Sequence, residues 1–278
     1  MMFDKRKCRQ AILLLIGLSS SIALSASQPA SQPASQPASQ PVNFSSLSST
    51  TSRFLSSLPS RLKQGHAVLQ LGGYRSIAGS QQHINIQDLI GDAFTVTQNG
   101  SGNGLVGLGY FIDGQEKERF KMVYGINAFY LPKTSVSGNV IQEDTHTNLA
   151  YRYQLTHYPI YAVAKSVFKT KWPHYDATLD VGIGPNFMQA QGFNESTLGA
   201  NTHPDTIFSS HTTTTFTATV GVGIKVNHFL WPTKTPLECG YRFFYLGQGH
   251  FTPATSQVVN TLTTGAVYGN AVMCSMTV

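Results

Sequence analysis

Five charged residues in the second half of the chain have types and spacing that suit either a gate in a solute path or a set of ion pairs. They occupy alternate positions on three consecutive predicted strands, so their side chains should point to the same side. These residues are Asp176, Asp180, Lys225, Glu238 and Arg242. The short connection at 230–236 should bring Lys225 within diagonal reach of Glu238 and Arg242.

A glycine motif and the histidines are the other features that could bind a ligand. Gly102, Gly104 and Gly107 match the pattern G-x-G-x-x-G literally, but that motif binds dinucleotides only at a strand-to-helix turn. This segment reads as strand throughout, so we expect small inward residues and no cofactor. The nine histidines include no pair with the spacing of a zinc site, so no metal is expected either.

The elements that carry these residues are strands, because apolar and polar residues alternate over long stretches. Between 213 and 227, one parity holds Phe216, Val220, Val222 and Ile224, whereas the other is rich in threonine and glycine. A period of two residues indicates a strand with one apolar face. Strands of soluble domains usually have about 5–6 residues. This one is long enough to cross a bilayer, which needs roughly 9–11 residues.

Eight such strands are predicted after residue 66. They cover 67–76, 104–112, 119–131, 148–168, 175–189, 213–229, 237–247 and 265–277. Short connections at 113–118, 169–174 and 230–236 alternate with long ones at 77–103, 132–147, 190–212 and 248–264. Short turns on one side and long loops on the other are typical of an outer-membrane barrel. The sequence therefore predicts an all-β, eight-stranded, antiparallel up-and-down transmembrane barrel.

The parity of each strand predicts which side chains face lipid. Leu179, Val181 and Ile183 should face outward, and the five charges should face inward. Tyrosine and tryptophan side chains near strand ends should form two aromatic girdles at the headgroups. The predicted girdle residues are Tyr110, Tyr130, Trp172, Tyr175, Trp231 and Tyr245. A soluble barrel of lipocalin type is the alternative, but the polar parity has too few lysines and glutamates for a solvated surface.

A barrel of eight strands is only wide enough for side chains to fill it. Charges in such an interior must pair or be hydrated. We therefore favour a structural plug over a solute path for the five-residue cluster.

The N-terminal region divides into two segments before the barrel. Residues 1–26 have the basic start and apolar stretch of a secretory signal peptide. Residues 27–63 are rich in Ser, Gln and Pro, with repeats of S-Q-P-A, and predict a disordered linker. Residues 64–278 form the predicted barrel. The chain is formally +6, but half of that excess lies in the signal peptide, so we expect no nucleic-acid partner.

Cys239 and Cys274 remain after export, since Cys8 should leave with the signal peptide. An exported protein meets an oxidising compartment, so the two can pair as a disulfide. Cysteine is also a small apolar residue that suits a lipid-facing position. The sequence leaves both roles open.

Two segments resemble strands of the small OmpA-like and opacity-type outer-membrane proteins of Gram-negative bacteria. The segment LECGYRFFYLGQGHF at 237–251 is similar to their late-strand pattern, and LDVGIGPNF at 179–187 resembles their G-x-G-x-N strand. The resemblance implies an eight-stranded barrel without catalytic residues, often a surface antigen or adhesin. Two departures stand out: the last residue is Val278 where the group usually ends in an aromatic residue, and no peptidoglycan-binding domain follows.

Together these patterns predict a non-enzymatic outer-membrane protein that contributes to envelope structure and contacts surface molecules through four external loops. Its expected partners are outer-membrane lipid, lipopolysaccharide and a host or surface ligand at the loops. A narrow pore or lateral transporter of small solutes is one alternative, which ordered, aromatic-lined loops would favour. A lipid A-modifying enzyme at the rim is another, since His211 follows Ser209 and Ser210, and His250 lies near Thr252. No nucleophile motif surrounds these residues.

Overall fold

The computed structural model describes residues 65–143, 145–199, 202–204, 207–230 and 235–278. The predicted signal peptide, the linker and Trp231 lie outside these ranges. All regular secondary structure in the described ranges is β-strand. They contain no helix with the length and apolar character needed to span a membrane.

Eight long and four short strands form the fold. The long strands are β1 (His66–Ile77), β4 (Gly100–Glu116), β5 (Phe120–Gln142), β6 (His146–Lys169), β7 (Tyr175–Thr197), β9 (His211–Leu230), β10 (Thr235–His250) and β12 (Thr263–Thr277). The short strands are β2 (Gln82–Ile84), β3 (Asp92–Phe94), β8 (Phe208–Ser209) and β11 (Thr252–Pro253). All eight predicted strands are present.

The long strands pair antiparallel in the order in which they follow one another along the chain. The eighth, β12, pairs with β1, for example Leu71 with Cys274, so the series of pairings returns to its first strand. This confirms the predicted antiparallel up-and-down arrangement. The connections 117–119 and 170–174 lie at one end of the sheet, together with the end of β9 at Leu230 and the start of β10 at Thr235, and this end is called here the short-turn end. The opposite end is called the long-loop end.

The strands extend further toward the long-loop end than predicted, and the prediction of a long loop at 132–147 is wrong. Strands β5 and β6 continue to Gln142 and His146. Strand β7 likewise continues to Thr197, inside the predicted loop at 190–212. In these extensions inward residues such as Val136 and Phe193 are apolar and buried. Their outward neighbours are polar, so the pattern of exposed apolar residues that marks the rest of each strand is absent.

The core lies inside the ring of strands. Tyr161 and Phe244 are fully buried there, whereas Val181 and Ile183 on the opposite face of β7 are 51% and 60% exposed. The inward residues are therefore the packed ones, and the apolar face of the sheet points outward. The faces predicted from parity for Leu179, Val181, Ile183, Asp180 and Arg242 agree with this burial pattern.

Candidate functional site

The outer surface of the strands is a continuous apolar band. Large exposed apolar side chains occur at outward positions of every long strand. Examples are Val106, Leu108, Ile126, Ile160, Leu179, Val181, Phe216, Val222, Ile224 and Val272. Soluble monomers rarely expose contiguous apolar patches of more than a few hundred Å². A band of this kind requires an apolar phase to cover it.

The apolar band ends sharply on the side that faces the long-loop end, and this border is called here the upper edge. On β6 and β7 the outward residues are apolar up to the paired Tyr158 and Phe187, and polar from the paired Gln154 and Gln191 onward. The change therefore occurs at the same level on neighbouring strands.

Aromatic residues mark both edges of the band. At the upper edge, Tyr130 stacks on Tyr158 with ring centroids 5.4 Å apart, and Tyr245 lies 5.7 Å from Tyr268. At the short-turn end, Trp172 is 71% exposed and Tyr175 is 46% exposed. The strand from Tyr175 to Phe187 is about 40 Å long, or about 30 Å in height at a tilt of about 40°. That height is close to the thickness of a bilayer core, about 30 Å.

The remaining predicted outer-face residues occupy the positions given by parity. Tyr110 is exposed on β4, and Trp231 lies outside the described residues. Cys239 on β10 and Cys274 on β12 lie directly opposite each other, with Cα atoms 4.0 Å apart, and form a disulfide. The bond joins two strands on the outer side of the wall.

The interior at the short-turn end is a cavity of about 460 Å³. Four lysines and three carboxylates line it: Lys121, Lys165, Lys169, Lys225, Asp113, Asp176 and Glu238. Lys121 pairs with Asp113 at 2.7 Å. Lys169 pairs with Glu116 at the exposed rim and holds the pKa of that carboxyl below its usual value. Lys121 and Lys169, two of the four lysines that line the cavity, are therefore paired with carboxylates.

Lys165 is a charged interior residue that was not among the predicted site residues. Its Nζ lies 3.0 and 2.9 Å from the two carboxylate oxygens of Glu238, and Thr178 donates a hydrogen bond of 2.8 Å to Oε1. Lys225 is directly opposite Glu238 in the strand register. Within the described residues, however, Lys225 has no ion pair within 4.0 Å. Glu238 is thus paired with Lys165 of β6, and the predicted contact of Lys225 with Glu238 and Arg242 is not formed.

The other three predicted charges make two separate interactions: Arg242 pairs with Asp180 in the interior, and Asp176 accepts a hydrogen bond near the cavity. Arg242 Nη2 lies 2.7 and 2.8 Å from the two oxygens of Asp180, and both side chains are almost fully buried. Asp176 accepts a hydrogen bond of 2.9 Å from Asn227. The five residues of the predicted cluster therefore share one side of the wall, but only Asp180 and Arg242 form an ion pair with each other.

An aromatic layer lies directly against the deep ion pair. The guanidinium of Arg242 lies 5.5 Å from the ring centroid of Phe129. Phe129 in turn contacts Phe244 and Tyr161, with centroids 5.4 and 6.1 Å away. Tyr161 also hydrogen-bonds Thr217 at 2.8 Å. These side chains come from four strands and fill the interior at this level.

Inward-facing glycines leave space for the large side chains of this layer. This was predicted for Gly107 of the glycine motif, and the structure agrees. A Cβ on Gly107 would lie 2.5 Å from Phe129, and one on Gly221 would lie 2.9 Å from Asp180. The prediction is wrong for Gly102 and Gly104, which are exposed on the outer face. The segment is strand throughout, so the geometry of a dinucleotide motif is absent.

A second aromatic cluster closes the long-loop end. It combines strand extensions with residues from the predicted loops. Its members are Phe94, Tyr151, Tyr153, Phe193, Phe208 and Phe251, with neighbouring centroids 5.1 to 6.4 Å apart. Burial raises the pKa of Tyr151, which lies above the apolar band, to about 12. This end of the molecule is therefore a packed hydrophobic core, which the polar composition of the loops did not predict.

The candidate catalytic residues at the rim lie close together without forming a Ser–His pair. The rings of His211 and His250 have centroids 4.6 Å apart. His211 Nδ1 lies 3.0 Å from the hydroxyl of Thr252, while Ser209 donates its hydroxyl proton to the backbone carbonyl of Thr252. In the described part of the chain, no three His, Cys, Asp or Glu side chains are grouped to hold a metal.

Comparison with known proteins gives structural likeness alone. No family model and no curated protein matches the sequence, so membership of the OmpA-like group stays a prediction. Neisserial surface protein A matches 76% of this chain and 96% of its own, at 11% identity and a TM-score of 0.36. Ail of Yersinia pestis matches 77% and 99%, at 10% identity and a TM-score of 0.30.

The outer membrane protein OprG of Pseudomonas aeruginosa matches 77% of this chain and 96% of its own, at 8% identity and a TM-score of 0.39. These scores are too low to establish a shared function.

Proposed function

We propose that this protein is a non-enzymatic outer-membrane β-barrel that contributes to envelope structure and contacts molecules at the cell surface. The observation that carries the proposal is the apolar band on the outside of a ring of strands, with aromatic residues at both edges. A spanning barrel needs an apolar outside and strands without free edges. The predicted signal peptide supports export to that location.

Surface contact is favoured over conduction because successive layers fill the interior. The Asp180–Arg242 pair and the layer of Phe129, Tyr161 and Phe244 lie above the cavity. The cluster at the long-loop end adds a third obstruction. A solute entering the cavity would therefore meet packed side chains.

A non-enzymatic role is favoured by the arrangement at the rim. Ser209 directs its hydroxyl to a backbone carbonyl, and so lacks the hydrogen bond to a base that activates a serine nucleophile. Replacement of His211 by Ala should leave lipid A in the host membrane chemically unchanged, as read by mass spectrometry. Loss of a modification in that variant would support the enzyme instead.

The proposal is tested by folding the full chain into detergent and running it on a gel with and without boiling. A heat-modifiable band together with a β-type circular dichroism spectrum is expected. Planar bilayers containing the folded protein should show no stable channels. A protein that stays in solution without detergent and shows no band shift would exclude a membrane barrel, and stable channels would exclude the plugged interior.

Lateral passage of small apolar solutes is a second candidate function, and two observations favour it. The loops bury aromatic residues, including Phe94 and Phe208. The ladder between β6 and β7 is also interrupted where Pro159 and Pro185 lie, since Ile160 and Tyr161 have no register partner on β7. Proline cannot donate to a ladder. Proteoliposomes should then take up an apolar dye faster than empty liposomes, and the double variant Pro159→Val/Pro185→Thr should slow uptake.

A further inference from the structure

Three large aliphatic side chains are exposed in the loops at the long-loop end. Leu89 and Ile90 are 59% and 62% exposed, and Val259 is 68% exposed. We call these three residues the tip patch. They belong to the connections that follow β2 and β11, beyond the polar extensions, and so lie away from the apolar band. Membrane insertion therefore does not account for their exposure.

Hydrogen bonds hold the two loops of the tip patch together. Gln87 N donates to Gln257 O at 2.8 Å, and Val259 N donates to Asn85 O at 2.9 Å. The side chain of Asn260 adds a hydrogen bond of 2.9 Å to His83 O. The backbone of the two loops that carry the tip patch is therefore held in a defined arrangement.

A turn presents two of the three residues outward. Leu89 N donates to Ile86 O at 3.2 Å, and Asp88 adopts a positive φ of 62°. Such a φ is uncommon for a residue other than glycine, and Asp and Asn tolerate it best. The turn therefore holds Leu89 and Ile90 on the surface, where more than half of each side chain stays exposed.

The immediate surroundings of the tip patch are acidic. Asp88 is exposed within the turn, and Glu143 Oε2 accepts a hydrogen bond of 3.2 Å from Ile90 N. The segments 85–91 and 257–260 contain no lysine or arginine. An apolar centre with acidic neighbours matches a partner surface that has an apolar side chain next to basic ones.

We propose that the tip patch is the anchor of the surface contact, and that it binds a protein segment in which apolar residues alternate with lysine or arginine. This inference rests on the proposed function, since it assumes that the long-loop end faces outward from the cell. A protein is favoured over a lipid surface because Asp88 and Glu143 would be repelled by anionic headgroups.

The test uses the full chain in nanodiscs of zwitterionic lipid, after heat-modifiable folding has been verified for each variant. The probes are two synthetic amphipathic peptides, one of leucine and lysine and one of leucine and glutamate, with binding to empty nanodiscs subtracted. The lysine peptide should bind and the glutamate peptide should not. The double variant Leu89→Ser/Ile90→Ser should weaken binding by about tenfold or more, as the loss of anchor side chains does. Asp88→Asn should reduce the salt dependence of binding.

The matched control is Leu198→Ser, because Leu198 is 55% exposed in another loop at the same end. This control should bind the lysine peptide as the unmodified chain does. Equal binding of both peptides, or of the Leu89→Ser/Ile90→Ser variant and the unmodified chain, would overturn the inference. So would stronger binding of protein-free anionic vesicles than of the lysine peptide. Failure to fold into nanodiscs would count against the proposed function itself, which separates the two outcomes.

Discussion

Lys165 on β6 pairs with Glu238 on β10, with Nζ 2.9 Å from Oε2, although β7 and β9 lie between these strands in the pairing order. The contact therefore crosses the interior and does not follow the wall. It joins two parts of the ring that share no backbone hydrogen bonds. Interior pairs of this kind resist distortion of the ring, and their removal gives the first prediction.

Replacing Lys165 with Met should lower the free energy of unfolding by about 2–3 kcal/mol, because Glu238 would remain partly buried without its cation. The double variant Lys165→Met/Glu238→Leu should recover most of the loss. Urea unfolding from lipid vesicles, monitored by tryptophan fluorescence, measures both. Lys169→Met is the control, since its pair with Glu116 is about half exposed and should not shift the midpoint. Additive effects of the two single changes would contradict the pairing.

Arg242→Ala should lower the free energy of unfolding by about 3–5 kcal/mol, since it leaves the buried carboxylate of Asp180 unpaired. Conductance should stay at the level of the unmodified protein, because Phe129 and Phe244 still fill the interior. Unfolding titrations and planar-bilayer recordings provide the two measurements. Lys225→Ala serves as the comparison and should change neither quantity. New stable channels in the Arg242 variant would show that the plug depends on this side chain alone.

The apolar band is tested by two charge substitutions on the same strand. Ile183→Lys places a cation within the band and should cost about 2–4 kcal/mol, as lysine does near the bilayer centre. Gln191→Lys lies above the upper edge of the band and should be nearly neutral. Folding yield into vesicles and unfolding midpoints distinguish the variants. Similar losses at both positions would place the edge of the membrane elsewhere.

The cluster at the long-loop end should be separable from the barrel. Phe251→Ala removes a fully buried ring and should destabilise that cluster by about 3–5 kcal/mol. The expected result is faster proteolysis within 78–99 and 251–262, with the heat-modifiable band retained. Leu198→Ala, which removes an exposed side chain, should leave the cleavage rate unchanged. Loss of the heat-modifiable band would mean that the cluster and the barrel unfold as one unit.

The eight strands could be predicted from the sequence because, within the apolar band, apolar residues alternate with small or polar ones. The extensions of β5 and β7 escaped prediction because their outward residues are polar, as the residues of a loop are. Val136 and Phe193, which lie in these extensions, reveal their role only when the residues packed on them are known. The alternation of apolar and polar residues alone does not show which residues will be packed against one another.

Contacts across the interior were harder to predict than positions on a face. Parity placed Glu238 and Arg242 on the inner side, but which residue faces them depends on the stagger between strands that are not neighbours. Lys165 shares the inward parity of Tyr161 and Val163, and that signal could have identified it as a candidate partner. The choice between Lys165 and Lys225 required the three-dimensional arrangement.

The extension of β5 sets the distance between the surface contact and the membrane. From Tyr130 at the upper edge to Gln142, the strand rises by about 30 Å at a tilt of about 40°. Gln142 pairs with Asp92, next to the loop that carries Leu89 and Ile90. The Debye length at physiological salt is about 8 Å. The acidic tip is therefore screened from the lipid charge, which contributes little to the attraction of a partner that approaches the tip.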